Sequence, residues 1–138
     1  LRALMYYELV RHFGDVPLVL NPVGLEESFT IGRTALAEVY AFVTSEFEAI
    51  SNPSSGQSRN QNDKGRPTIY SALGMAAKAY MQQGNYASAK SHLKSIIDSG
   101  KFSMQSDYAE IFKESNDNGP HVVFSIQYDI VTLIYGTT

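Results

Sequence analysis

The chain has 138 residues, of which 43% are hydrophobic and 18% are charged, and its formal net charge is −3. This length fits one domain with its own core, the apolar fraction excludes a disordered chain, and the slight negative charge gives no basis for nucleic-acid binding. The absence of cysteine excludes disulfides, thiolate metal sites and a cysteine nucleophile, and no apolar run approaches the roughly 20 residues that span a bilayer.

The first predicted element is a helix over 1–13 that ends at Gly14. The segment contains no Gly or Pro and is rich in residues that favour helices. Its apolar side chains lie all round the helix, for example Tyr6 on one side and Leu4 on the other, which is typical of a helix buried on more than one face. Because the chain also starts at Leu1 with no leader sequence, we expect it to be an internal part of a longer protein.

An extended connector and a second helix follow. Pro17 disfavours helical backbone at the preceding residue and cannot donate a hydrogen bond, so residues 15–20 are predicted to form a packed connector. Thr34 is predicted to be the N-cap of a helix that runs to Ile50. The apolar residues of this helix lie within roughly 100° of arc; they are Leu36, Val39, Tyr40, Val43, Phe47 and Ile50. The pattern predicts an amphipathic helix with one buried stripe.

Residues 52–67, with the sequence NPSSGQSRNQNDKGRP, contain no apolar residue that could anchor them in a core. They are predicted to form a mobile surface loop. The two glycines of this segment, Gly56 and Gly65, do not belong to a Gly-x-x-x-x-Gly-Lys-Ser/Thr pattern, and no predicted strand precedes them. We therefore predict no phosphate-binding site in this loop.

A helical hairpin is predicted over 68–100, with its turn at Gly84-Asn85. Apolar residues recur at three- and four-residue steps in both helices. In the first helix, 68–83, these residues are Ile69, Leu73, Ala76, Ala77 and Tyr80. In the second helix, 86–99, they are Tyr86, Ala89, Leu93, Ile96 and Ile97. The alanines allow close approach of the helices, and Tyr80 and Tyr86 are expected to fill the end near the turn.

Shorter elements are predicted after Gly100, which is expected to end the second helix of the hairpin. A short helix is predicted over 107–112, and the Asn-Asp-Asn-Gly-Pro run at 116–120 predicts a turn. Val122 to Tyr128 has the composition of a strand. The predicted fold class is therefore mainly α, with helical hairpins and a short β segment near the C-terminus. The last ten residues, 129–138, match no pattern that we can assign.

The hairpin resembles the middle of a tetratricopeptide repeat. The matching positions are Ala77, Tyr80, Gly84, Asn85, Tyr86, Ala89, Leu93 and Ile96. The small residues lie where the two helices would cross, and the turn glycine meets a left-handed backbone requirement. This resemblance indicates a helical repeat and says little about a ligand.

A longer ordered set of motifs resembles the SusD/RagB family. These motifs are Arg2-Ala3, Tyr6-Tyr7 through Val10-Arg11, Phe13 to Val19, Arg33, Val39-Tyr40, Arg66 with Thr68, Tyr80, Gly84 to Tyr86, Ile97 to Phe102, Tyr108 to Phe112 and Phe124 to Tyr128. They cover nearly all of 1–128 and correspond to the internal tetratricopeptide-like part of a much longer chain. His121 departs from the resemblance, since the family commonly has a glutamate at that position.

The resemblance implies a function as well as a fold. SusD/RagB proteins are outer-membrane lipoproteins of Gram-negative bacteria that capture glycans or other nutrients at the cell surface and pass them to a SusC-like, TonB-dependent transporter. The resemblance therefore implies a non-catalytic protein that binds an oligosaccharide or other nutrient, uses no cofactor and reaches the membrane through a lipid anchor outside this sequence. It also implies that the ligand-binding residues lie mostly outside this sequence, so we nominate none.

The carboxylates give no prediction of glycoside hydrolysis, which needs two carboxyl groups roughly 5–10 Å apart. Glu46 and Glu48 point in different directions on their helix. The other candidates have no sequence reason to converge and are predicted to be solvated; they are Asp15, Asp107 and Asp117 in separate connectors and the pair Glu26-Glu27 in a loop. No catalytic pair is therefore predicted.

The histidines give no prediction of a metal site. His12, His92 and His121 show neither His-x-x-x-His nor His-Glu-x-x-His spacing. His92 falls on the polar side of its helix and is expected to be exposed. His121 has no partner that can be identified from the sequence.

Serine chemistry and calcium binding are also not predicted. The Gly-x-Ser-x-Gly pattern of a hydrolase nucleophile is absent around Ser45, Ser71 and Ser125. The segment from Glu114 resembles a calcium loop faintly, but Ser125 stands where a bidentate glutamate is needed. We interpret this segment as a turn.

The aromatic residues leave one question open, because sugar-binding proteins present exposed rings to the apolar faces of pyranoses. Rings at helix-core spacing are expected to pack in the interior; these are Tyr6, Tyr40, Tyr80 and Tyr86. The rings with no such explanation are Phe29, Tyr128 and Tyr135, and their exposure does not follow from the sequence.

An alternative function is that of an intracellular tetratricopeptide scaffold, which binds peptide segments in a concave groove. Such a protein would show tandem copies at a period of about 34 residues. One clear copy is visible, which favours the SusD-like interpretation; an enzyme of unknown type is a more distant third. We also expect the isolated chain to unfold gradually on heating, because its first helix is apolar all round.

Overall fold

A computed structural model describes residues 1–52 and 66–126, and its long helices form a sequential stack. The elements of this described part are α1 (Arg2–Phe13), α2 (Leu25–Ser28), α3 (Leu36–Ser51), α4 (Ile69–Gln82), α5 (Tyr86–Asp98) and two 3₁₀ helices, Tyr108–Phe112 and Glu114–Asn116. α3 packs against α1 and α4, and α4 packs against α5. The predicted mainly α class is confirmed.

The main core lies between α1, α3 and α4. Its buried residues are Ala3, Tyr7, Val10, Val16, Val39, Tyr40, Val43, Phe47, Ala72, Ala76 and Ala79. α3 contributes the predicted stripe, except that Leu36 at its start is exposed. The three core residues that α4 contributes are all alanines, which let the α3 and α4 backbones approach closely while still removing apolar surface from water.

α1 buries one side only. Ala3, Tyr7 and Val10 recur at steps of four and three residues and belong to the core. Leu4 and Tyr6 are partly buried against this core, whereas Met5, Leu9 and Phe13 are exposed, as is Leu1 just before the helix. Burial on more than one face is therefore not found in the described part of the chain, because only α3 and, more weakly, α4 pack against α1.

The connector between α1 and α3 is packed as predicted, and two sets of hydrogen bonds hold it. The Tyr6 hydroxyl donates to the Val19 carbonyl oxygen at 2.9 Å and accepts from the Val19 amide at 2.7 Å. The Thr34 amide donates to the Val16 carbonyl oxygen at 3.0 Å in an isolated antiparallel bridge. The short helix α2 within this connector was not predicted, so the exposed pair Glu26-Glu27 lies in a helix and not in a loop.

The start of α3 differs from the predicted N-cap. Thr34 takes part in the bridge to the connector, and Ala35 occupies the N-cap position without a side-chain hydrogen bond. The Leu36 amide instead donates to Asp15 Oδ1 at 2.7 Å. The Asp15 carboxylate, two residues after the end of α1, thus satisfies one of the amides that every helix leaves free at its first turn.

α4 and α5 form the predicted hairpin. α4 begins with a capping box, in which the Ser71 amide donates to Thr68 Oγ1 at 3.3 Å and the Thr68 amide donates to Ser71 Oγ at 3.1 Å. Asn85 caps α5 by accepting from the Ser88 amide at 3.1 Å. Gly84 in the turn has a φ of 73°, the left-handed conformation that glycine adopts without a Cβ penalty.

The apolar stripe of α5 is only half buried. Ala89 and Ile96 are buried, and a Cβ added at Gly74 of α4 would lie 3.8 Å from Ile96 Cδ1. The remaining residues of the predicted stripe, Tyr86, Leu93 and Ile97, are exposed. The prediction that Tyr86 fills the end of the hairpin is therefore wrong: 70% of its surface is exposed, because the described residues place no element against that side of α5.

The chain after α5 folds back onto α4 without forming a strand. Ser71 Oγ donates to the Val123 carbonyl oxygen at 3.0 Å, and the Ser103 amide donates to the Pro120 carbonyl oxygen at 3.0 Å. The predicted strand Val122 to Tyr128 is wrong over 122–126, which are irregular. A strand needs a neighbouring strand with which to form backbone hydrogen bonds, and here the Ser71 side chain of α4 donates to the Val123 carbonyl oxygen instead.

The remaining sequence predictions concern the chain after α5 and the segments outside the described residues. The predicted short helix over 107–112 is the 3₁₀ helix Tyr108–Phe112, and the predicted turn follows the second 3₁₀ helix. The predicted loop over 52–67 lies outside the described residues except at its ends, and so do 127–138. No helix in the described part has both the length and the apolarity needed to cross a membrane.

Candidate functional site

Glu48, Tyr80 and His92 meet where α3, α4 and α5 come together. The Tyr80 hydroxyl donates to Glu48 Oε1 at 2.6 Å, and His92 Nε2 lies 3.3 Å from the same oxygen. The rings of Tyr80 and His92 stack with their centroids 5.6 Å apart and their planes 17° from parallel. One carboxylate oxygen therefore joins side chains from three consecutive long helices of the stack.

The electrostatics of this cluster favour a neutral Tyr80. The hydrogen bond to Glu48 raises the pKa of Tyr80 above its ordinary value of 10.0, burial and the Glu48 charge raise it further, and a hydrogen bond with Thr44 opposes the change. Tyr80 is thus a hydrogen-bond donor at neutral pH. The cluster contains one carboxylate, whereas glycoside hydrolysis uses two.

His92 is not exposed, contrary to the prediction. Its side chain is 19% exposed and that of Glu48 is 45% exposed. The helical wheel placed His92 among Lys90, Ser91 and Lys94, but the stacking ring and the carboxylate come from other helices. An aromatic at the end of α4 and an acid near the end of α3 were the only sequence signals for this contact.

Three of the other carboxylates considered from the sequence, Glu46, Asp15 and Asp107, serve separate parts of the fold. Glu46 Oε2 accepts from Arg2 Nη2 at 2.9 Å, and the same guanidinium lies 5.5 Å from the centroid of the Phe42 ring. Asp15 caps α3, and Asp107 Oδ1 accepts from the Ala109 amide at the start of a 3₁₀ helix. These contacts give each of these three carboxylates a structural role, and the pair Glu26-Glu27 is exposed.

The remaining histidines lie apart from the cluster. His121 Nδ1 is 3.3 Å from Gln105 Nε2, a partner that the sequence did not reveal because the two residues are 16 positions apart. His12 Nε2 lies 3.5 Å from Glu8 Oε2 at the exposed end of α1. Within residues 1–52 and 66–126, no group of three or more His, Asp or Glu side chains is arranged to hold a metal ion.

Ser45, Ser71 and the turn after Glu114 take part in hydrogen bonds that hold the fold. Ser45 Oγ donates to the Phe42 carbonyl oxygen at 2.8 Å, and Ser71 caps α4 as described above. Asn116 Nδ2 donates to the Glu110 carbonyl oxygen at 2.7 Å, which joins the two 3₁₀ helices.

The aromatic rings divide into packed and exposed sets. Tyr40 is buried, and Tyr6 and Tyr80 are partly buried, as expected. The exposed rings are Phe13, Phe29, Tyr86, Tyr108 and Phe112. Tyr108 and Phe112 touch edge to face with centroids 5.3 Å apart. Tyr128 and Tyr135 lie outside the described residues.

A small apolar cavity lies between the start of α1, the end of α3 and the start of α4. Leu4, Phe47, Ile50 and Met75 are among its lining residues, and its volume is about 50 Å³. Sites for small-molecule ligands are usually about 300–1,000 Å³. This cavity is therefore too small to hold a sugar ring.

No protein-family model matches the chain, but curated relatives and solved structures do. SusD-like protein P25 of Formosa agariphila is 27% identical over 128 residues, which cover 93% of this chain and 24% of that protein. The crystal structure of a SusD-like carbohydrate-binding protein from Bacteroides fragilis has a TM-score of 0.79 and 27% identity, over 92% of this chain and 25% of that one. Surface glycan-binding protein A from Bacteroides uniformis has a TM-score of 0.78 and 25% identity, over 92% of this chain and 29% of that one.

These similarities confirm the resemblance to the SusD/RagB family. The chain is similar to SusD-like proteins over more than nine tenths of its length, in sequence and in fold. It spans about a quarter of the length of the curated relatives that it matches.

Proposed function

From its similarity to SusD-like proteins, we propose that this chain serves the non-catalytic capture of a glycan or another nutrient at the cell surface. The observation that carries the proposal is the match over 92% of the chain to a structure described as a SusD-like carbohydrate-binding protein. Fold alone does not imply function. Here the sequence similarity to SusD-like protein P25 covers the same length and supports the same assignment.

In this proposal the helical stack is a scaffold. It carries the glycan-binding remainder of a SusD-like protein or forms the surface that docks on a SusC-like, TonB-dependent transporter. The protein is held at the outer membrane by a lipid anchor, and its ligand is an oligosaccharide or another nutrient. The structural use of Glu46, Glu48 and Asp15 supports a role without bond cleavage.

A glycan array with the longer SusD-like protein that would contain this chain tests the capture step. We expect the protein to retain at least one class of oligosaccharide and to release it unchanged, because no pair of carboxyl groups is assigned to hydrolysis. Chromatography of the recovered glycan measures its length. Shorter products would contradict a non-catalytic role, and failure to retain any glycan would contradict capture.

Co-purification from outer membranes tests whether the protein binds a SusC-like transporter. A SusC-like transporter is expected to elute with the tagged protein, and an unrelated outer-membrane porin serves as the control. Recovery of the protein in the cytosol, bound to peptide segments of other proteins, would support the tetratricopeptide scaffold instead.

A further inference from the structure

A pair of ionisable side chains joins α5 to α3 across the helix that lies between them. His92 Nε2 is 3.3 Å from Glu48 Oε1, and the His92 side chain is 19% exposed. α5 packs on α4, whereas α3 and α5 have no extensive contact with each other in the described part of the chain. The contact between His92 and Glu48 is therefore a direct tie between two helices that are not neighbours in the stack.

We propose that Glu48 and His92 form a pH-sensitive latch that holds α5 on the stack. A histidine side chain ordinarily titrates at about pH 6.5, where a glutamate is still ionised. In acid the protonated ring and the carboxylate form an ion pair, whereas at alkaline pH the neutral ring leaves a weaker hydrogen bond. A partner that favours the charged ring contributes stability at acid pH, and this contribution is lost as the pH rises.

Tyr80 supports both members of the latch. Its hydroxyl donates to Glu48 Oε1 at 2.6 Å, which holds the carboxylate beside His92. Its ring stacks on the His92 ring with the planes 17° from parallel. The face of an aromatic ring is negative, so this stacking favours a positive imidazole ring over a neutral one. All three groups belong to long helices, and the latch is complete within the described residues.

The other charged side chains of these helices leave the pair undisturbed. The titratable groups that face His92 are Glu48 from α3 and Tyr80 from α4. The nearest charged residues along the three helices are each two positions from a member of the cluster, which places them about 160° away round their helix. They are Glu46 on α3, Lys78 on α4, and Lys90 and Lys94 on α5.

The exposure of Glu48 sets the size of the effect. Its side chain is 45% exposed, so water screens the ion pair. Ion pairs of this kind change an equilibrium by a small factor. We expect acid pH to favour the docked position of α5 by about threefold relative to alkaline pH.

Hydrogen exchange of peptides from α5 tests the latch in the longer SusD-like protein that would contain this chain. Mass spectrometry at about pH 5.5 and 8, corrected for the intrinsic exchange rates, gives a protection factor at each pH. His92→Gln keeps a donor near the Nε2 position and carries no charge. The ratio of wild-type to His92→Gln protection should be about threefold larger at the lower pH.

A second substitution assigns the effect to the pair. Glu48→Gln keeps an oxygen that can accept from the Tyr80 hydroxyl but removes the negative charge. In this background His92→Gln should change the protection of α5 by the same factor at both pH values. A pH difference that persists without the Glu48 charge would overturn the proposal.

His12→Gln is the matched control, because His12 Nε2 also lies near a glutamate, 3.5 Å from Glu8 Oε2, but both residues belong to α1. It should leave the protection of α5 unchanged at both pH values. Equal ratios of wild-type to His92→Gln protection at the two pH values would overturn the latch.

The wild-type protein alone gives the test if circular dichroism shows that a variant does not fold. Protection of α5 relative to α4 should then rise in acid, and a ratio that stays constant or falls would overturn the proposal. None of these outcomes depends on glycan binding.

Discussion

Tyr80 links three helices through its hydroxyl and its ring. The hydroxyl donates to Glu48 of α3, and the ring stacks on His92 of α5. Because the acceptor is a carboxylate, this hydrogen bond is stronger than one between neutral groups, although the partial exposure of Glu48 weakens it. The contact also explains why the pKa of the Tyr80 phenol is raised above its ordinary value.

Tyr80→Phe is expected to lower the free energy of unfolding by about 1 kcal/mol near neutral pH. The pKa of Tyr80 is raised in the folded protein, so the contribution of its hydroxyl is present below the ordinary value of 10.0 and is lost as the pH rises through the raised pKa. The difference between the two proteins should therefore shrink at alkaline pH. Urea unfolding in steps up to about pH 11 measures it.

Burial also raises the pKa values of Tyr7 and Tyr40, but these residues are common to both proteins and cancel in the comparison. Tyr86→Phe is the control, because Tyr86 is largely exposed, and it should change stability by less than about 0.5 kcal/mol. A difference between wild type and Tyr80→Phe that stays constant across the alkaline range would contradict the assigned hydrogen bond.

Gly84→Ala is expected to destabilise the protein by about 1–2 kcal/mol. Gly84 has a φ of 73°, and an added Cβ would meet no atom within 4 Å, so the cost is conformational and not a clash. Gly24→Ala is the matched control, since that position is equally open and has a φ of −70°. Denaturant unfolding compares the two, and equal losses would show that the left-handed turn is not the cause.

Single helices of this fold are completed by groups from elsewhere in the chain. α3 lacks a side-chain cap of its own, and Asp15, 21 residues before Leu36, accepts the hydrogen bond from its first turn. The end of α1 and the start of α3 are therefore held together by a carboxylate as well as by the buried apolar residues of both helices.

Asp15→Ala is expected to cost about 0.5–2 kcal/mol, the usual effect of losing a helix cap. Asp15→Asn keeps a side-chain oxygen that can accept from the Leu36 amide, so it should cost less. Thermal unfolding followed by circular dichroism ranks the two variants. If alanine and asparagine were equally destabilising, the charge near the helix N-terminus would be responsible and the hydrogen bond would not.

Elements that need a distant partner were the ones the sequence predicted poorly. Residues 122–126 have the composition of a strand, but in the fold Ser71 of α4 binds the Val123 carbonyl oxygen. The α5 stripe was predicted correctly as a helical pattern, yet half of it faces away from α4. Periodicity identifies an apolar face and does not say whether anything covers it.

The long helices of the whole molecule differ in how many neighbours cover them. α3 lies between α1 and α4, and α4 lies between α3 and α5, whereas α5 packs chiefly on α4. Apolar contacts are therefore densest in the middle of the stack. Stability is expected to follow the same order, because regions with fewer buried contacts open at lower free energy.

Hydrogen exchange measured by mass spectrometry on peptides tests this order. Amides of α3 and α4 should exchange more slowly than those of α5, because α3 and α4 are each packed between two long helices. Equal protection of all long helices would contradict the expected order and indicate one cooperative unit. The gradual thermal transition expected from the sequence stays a prediction, and a single sharp transition would contradict it.

The sequence by itself determined the long helices, the hairpin about Gly84 and the resemblance to SusD-like proteins. Helices and tight turns depend on groups within about four residues of one another, so local sequence is sufficient for them. Only the tertiary structure decided that Glu48 would meet Tyr80 and His92, 32 and 44 residues away. It also decided which apolar stripes remain uncovered, because burial depends on where the other helices pack.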